Sequence, residues 1–145
     1  NIITNLNSIR MKDLLQGFST EELLLVQGVL SELNKQVMTN PILQLYWNLR
    51  AFKPNEPIII KIKDFVATMM EYQVEIGVML ASAGVNKDIM IEAPISKTIF
   101  NLMPQSKKDT IFSLMKRFEA KFEGDPNKFT VTTAVVNIWN NMLVR

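Results

Sequence analysis

The chain has 145 residues, 48% of them hydrophobic and 21% charged, with a formal net charge of +2. That is a globular composition and the length of one domain, enough to bury roughly two-thirds of the unfolded surface without a disulfide or a metal. It contains no cysteine and no histidine, which excludes disulfides, thiol nucleophiles, imidazole bases, zinc fingers and His-ligated metals.

The first residues, Asn1 to Asn7, lack the basic start and apolar core of a signal peptide, and no Asn-X-Ser/Thr sequon occurs. The longest uncharged run, Phe129–Val144, is 16 residues long, short of the roughly 17–25 that span a bilayer. No membrane partner is expected. The setting expected is intracellular, or virion-associated if the source is viral.

The pattern predicts a mainly α, single-domain bundle of six or seven helices covering residues 1–145, with 1–16 as an N-terminal arm or helix. Ile2, Ile3, Leu6, Ile9, Leu14 and Leu15 have helical spacing and stop at Gly17. Ser19 and Glu22 then form a Ser-x-x-Glu capping box, with Phe18 and Leu23 placed as a hydrophobic staple. The helix they open runs to about Val37. Its Leu23, Val26, Leu30, Leu33 and Val37 are spaced 3, 4, 3, 4, the seam of a coiled coil. Leu24, Leu25 and Val29 widen the seam, so this stripe is the expected self-association surface.

Asn40-Pro41 opens a short helix that ends before the loop Lys53–Pro57. From Ile58 two readings stand. Ile58–Ile62 reads as a strand whose partner would be Ile89–Ala93. Alternatively Ile59, Ile62, Val66, Met69, Gln73, Ile76, Leu80 and Ala83 make one long helix, about 57–83, between Pro57 and Gly84. The helix is the better fit.

Pro94 and Pro104 bracket a short helix, 95–103. Ser106 is placed to cap an amphipathic helix over 107–122, with Ile111, Leu114, Met115, Phe118 and Phe122 inward. Gly124-Asp125-Pro126 stops it, and a last helix over 127–143 carries Phe129, Val136, Trp139 and Leu143 on one line.

Few residues suggest chemistry. The five glycines match neither a P-loop nor a dinucleotide fingerprint. Ser113-Leu-Met-Lys116 has the Ser-x-x-Lys spacing, but the motifs that accompany it in β-lactam enzymes are missing. Glu71 and Glu75 share a helix face, with no further acid nearby to complete a metal site. No enzyme, no cofactor and no metal are therefore expected. Lys107, Lys108, Lys116, Arg117 and Lys121 form a basic cluster, the candidate contact for nucleic-acid phosphates.

Two roles follow as expectations. The first is a non-enzymatic, self-associating assembly or adaptor protein that meets another copy or another protein through apolar helix surfaces. The alternative is a small nucleic-acid-associated regulator using the basic helix at 107–121.

Overall fold

In the computed structural model, residues 11–86, 89–121 and 128–143 are described. Among them are seven α-helices and no strand. They are α1 (Met11–Leu14), α2 (Thr20–Met38), α3 (Pro41–Leu49), α4 (Pro57–Ser82), α5 (Ala93–Leu102), α6 (Gln105–Lys121) and α7 (Lys128–Ile138). One π turn, Trp139–Leu143, follows α7. Residues Ile58–Ile62 belong to α4, and Ile89–Ala93 form no strand, so the optional two-stranded element is not made. The expected residues Ile2, Ile3, Leu6, Ile9, Phe122 and Gly124–Pro126 lie outside the described residues.

The punctuation works as the local chemistry requires. Ser19 Oγ accepts from the Glu22 backbone N–H (3.2 Å), and Glu22 Oε1 accepts from the Ser19 N–H (2.7 Å), which satisfies two orphan donors at the start of α2. Asn40 Oδ1 accepts from the N–H groups of Ile42 (2.9 Å) and Leu43 (3.3 Å) at the start of α3. Helix α4 ends in a Schellman motif. The Val85 N–H donates to the Leu80 carbonyl, the Gly84 N–H donates to Ala81, and Gly84 takes φ +80°, which glycine adopts without strain. Ser106 is not a cap. Helix α6 begins one residue earlier, and the Pro104 carbonyl accepts the Lys107 and Lys108 N–H groups.

Helix α2 is the hub, in contact with α3, α4, α5 and α7. Its residues Leu23, Leu24, Leu25 and Val26 are buried in succession, so it is covered all round at that level. Helix α4 lies along α2 with Ile59, Ile62, Phe65, Met69, Ile76 and Leu80 inward. The α4–α6 contact is aromatic: Phe118 sits edge-on to both Phe65 and Tyr72, with centroids 5.7 Å apart in each case.

The last helix departs from the expected line. Val131, Ala134, Val135 and Ile138 face the core, whereas Val136 points outward at 45% exposure. The π turn then inserts one extra residue before the next inward position. Leu143, five residues after Ile138, is thereby buried while Asn141 is exposed.

Candidate interaction surface

The structure places the expected self-association stripe inside the chain itself. Leu23, Val26, Leu30, Leu33 and Val37 are all buried, as are the flanking Leu24, Leu25 and Val29. Other helices of the same chain cover this seam from several sides, so none of these residues is available to a partner in this fold.

The expected basic face is also not assembled. At about 100° per residue, Lys107, Lys108, Lys116 and Arg117 project at about 0, 100, 180 and 280° around α6. Three of them contact neighbouring residues of the chain. Lys107 Nζ donates to Glu22 Oε1 at 2.7 Å and stands 5.4 Å from the Phe18 ring centroid, joining the first turns of α6 and α2. Lys108 Nζ lies 5.4 Å from the Phe100 ring centroid. Arg117 Nη1 donates to the Tyr72 hydroxyl at 3.3 Å. Lys116 is exposed, and the Lys121 side chain lies outside the described residues.

Glu22 is held below its ordinary pKa. Its partial burial alone would raise it, but the Lys107 hydrogen bond, the Ser19 N–H and the Lys107 charge together outweigh that penalty.

The other sequence candidates lie on α6 and α4. Ser113 and Lys116 are both exposed on α6. Glu71 and Glu75 sit on α4, and no group of three potential ligands gathers among the described residues. The described methionines mostly fill space: Met69, Met103 and Met115 are buried, and Met38, Met79 and Met142 are half-buried.

The outer face of α4 carries an open apolar line. Met70, Val74 and Val78 are 59%, 64% and 60% exposed, and they follow one another at i, i+4, i+8 along the longest helix. Exposed Ala67 and Ala81 extend the line at both ends. A groove runs on each side of this ridge. One is walled by Lys12, Glu71 and Glu75. The other holds Gln27, Gln73 and the buried Gly77. Gln27 Oε1 is buried there with no hydrogen-bond partner among the described residues. The ridge is legible as a second apolar line on α4. Spacing alone does not say which of two lines turns inward.

Among the described residues no helix is long and apolar enough to cross a membrane. Compared with known proteins, the chain matches no family model, no curated protein and no solved structure.

Proposed function

We propose that this chain is a non-enzymatic, self-associating helical protein of the assembly or adaptor kind, and that copies meet through the outer face of α4. The observation that carries this reading is the exposed line Met70–Val74–Val78 on the longest helix of the bundle. An aligned apolar ridge of this kind, rimmed by Glu71, Glu75 and Lys12, has the layout of a protein contact.

The line also suits pairing with itself. Ala67, Met70, Val74, Val78 and Ala81 are spaced 3, 4, 4, 3, the same in both directions about Val74. A twofold axis at Val74 sets two antiparallel copies of α4 so that Met70 of one meets Val78 of the other, and Ala67 meets Ala81. Such a contact is isologous, using the same patch on both subunits. The same axis brings the Glu71/Glu75 flank of one copy beside that of its partner, with a Lys12 from each. Salt screens like charges over about 8–10 Å, so added salt strengthens this association. Binding to a polyanion has the opposite dependence.

Sedimentation equilibrium tests the reading. The wild-type chain is expected to dimerise at micromolar concentration, more strongly as salt rises. Val74→Asp is expected to be monomeric with an unfolding midpoint close to wild type, because its side chain is already in water. A wild-type monomer at every concentration and salt, or dimers unaffected by Val74→Asp, refutes the proposal.

A further inference from the structure

An aromatic stack stands at the surface where α5, α6 and the π turn meet. The Phe112 ring lies over Trp139 with centroids 3.9 Å apart and planes 20° off parallel. Phe100 meets the same indole edge-on, with centroids 5.5 Å apart. Phe100 is buried and Trp139 half-buried, so packing holds the indole in place. Phe112 has one face against Trp139, yet it remains 42% exposed. A ring held in this way presents a flat π surface whose orientation is set before anything binds.

Cations flank this ring along its own helix. Lys108 and Lys116 stand four residues before and four after Phe112, each about 6 Å away along α6 and about 40° from it around the axis. Lys116 is exposed. Lys108 Nζ lies 5.4 Å from the Phe100 ring centroid, a contact that leaves ammonium N–H groups for another acceptor. Two acids share the described length of α6. Asp109 accepts from Gln105 Nε2 at 2.9 Å, and Glu119 lies seven residues beyond Phe112, about 10 Å along the axis.

We infer that this stack binds one residue of a single-stranded nucleic acid, its base lying on Phe112 and its two neighbouring phosphates paired with Lys108 and Lys116. A base within a strand has a phosphate on its 5′ and on its 3′ side, which matches cations on both sides of the ring. A free mononucleotide brings phosphate to one side only. In a duplex the neighbouring bases cover both faces of each base, so only an unpaired one has a face to give Phe112. Stacking of this kind accepts any base, because every base has a π face.

Fluorescence anisotropy of a short labelled oligothymidine at low salt tests this on the full chain. Wild type is expected to bind it. Phe112→Leu keeps apolar packing on Trp139 but offers no π face, and it is expected to bind about 5- to 140-fold more weakly, the range for one lost base–aromatic stack. Phe112→Tyr is expected to bind as wild type does. Lys108→Gln/Lys116→Gln is expected to flatten the log–log salt dependence by about 1.4, two phosphates at about 0.7 each. The same strand annealed into a duplex, and thymidine monophosphate, are expected to compete poorly.

Absence of binding at low salt, equal affinity for Phe112→Leu and wild type, or a duplex that competes as well as the strand overturns the inference. Thymidine monophosphate that binds as tightly as the strand also overturns it, because the ligand is then a free nucleotide. If Phe112→Leu lowers the unfolding midpoint, the lysine pair decides, and an unchanged salt slope is the overturning result. The site shares no residue with the α4 ridge, so Val74→Asp is expected to bind the strand as wild type does, and either proposal can fail alone.

Discussion

Replacing Gly28 with alanine is expected to stabilise the protein, and the sign follows from the geometry. Gly28 is buried in the middle of α2, and its φ is not in the positive region that glycine alone tolerates. A Cβ built on its backbone meets only Met142 Cε, at 3.9 Å, an ordinary van der Waals contact. Nothing has to move to admit a methyl group. Glycine in a helix interior is less favourable than alanine by about 0.8–1.0 kcal/mol, mostly because the unfolded chain loses more freedom. The added methyl also leaves water, a gain of up to about 0.8 kcal/mol. The net expectation is about 1–1.5 kcal/mol, which raises the thermal midpoint by about 2–6 °C for a chain of this length. Thermal and urea unfolding followed by circular dichroism measure it, with the urea m-value unchanged. Gly28→Leu has the opposite sign. Its longer side chain drives into Met142 and the π turn, and such overpacking costs about 1–3 kcal/mol. A lower midpoint for Gly28→Ala would refute the reasoning, since α2 and the Met142 turn would have to lie closer than the contact distance shows.

Ser19→Ala removes the acceptor for the Glu22 N–H and is expected to cost about 0.5–2 kcal/mol in urea unfolding; an unchanged midpoint means that the cap contributes nothing. Glu22 titrates below its ordinary value in the folded chain, so its contribution is present above the unfolded pKa, about 4.3, and is lost as pH falls through the folded value. Glu22→Gln is therefore expected to be less stable near neutrality and to lose less stability on acidification; parallel stability–pH curves for the two proteins would contradict this. Leu30→Asp places an unpaired charge in the core of α2 and is expected to destabilise by several kcal/mol, enough to abolish cooperative unfolding. A folded Leu30→Asp that merely stops associating would instead return the Leu23–Val37 stripe to the surface.

The local signals in the sequence carried through wherever they depend on neighbours a few residues away. The Ser19–Glu22 box, the Asn40 cap, the prolines at the starts of α3 and α4 and the glycine at the end of α4 each act within one turn, and each stands where the pattern put it. The long periodic run after Pro57 outweighed the β-branched isoleucines at its start, because α4 gains its stability from packing along α2 rather than from intrinsic propensity. Ser106 failed as a cap because Pro104, two residues earlier, already accepts the first hydrogen bonds of α6. The line drawn through Val136 and Leu143 does not hold, because heptad spacing was extended through a helix whose inward line is Val131, Ala134, Val135 and Ile138, and whose end changes pitch in a π turn.

The sequence by itself determined a mainly helical chain, most of the places where its helices start and stop, and the absence of imidazole and thiol chemistry. These depend on residue identity and on hydrogen bonds spanning three to five positions. Which apolar line faces inward was decided only by the tertiary structure. Leu23–Val37 and Met70–Val78 both read as stripes, yet four neighbouring helices cover the first, and the second is left in water on the outer side of α4. The basic residues of α6 were likewise apportioned by their surroundings, Lys107 to Glu22 and Arg117 to Tyr72. The physical reason is the same in each case. Burial and ion pairing depend on groups distant in the chain, 85 residues for Lys107 and Glu22, and periodicity along one helix carries no information about them.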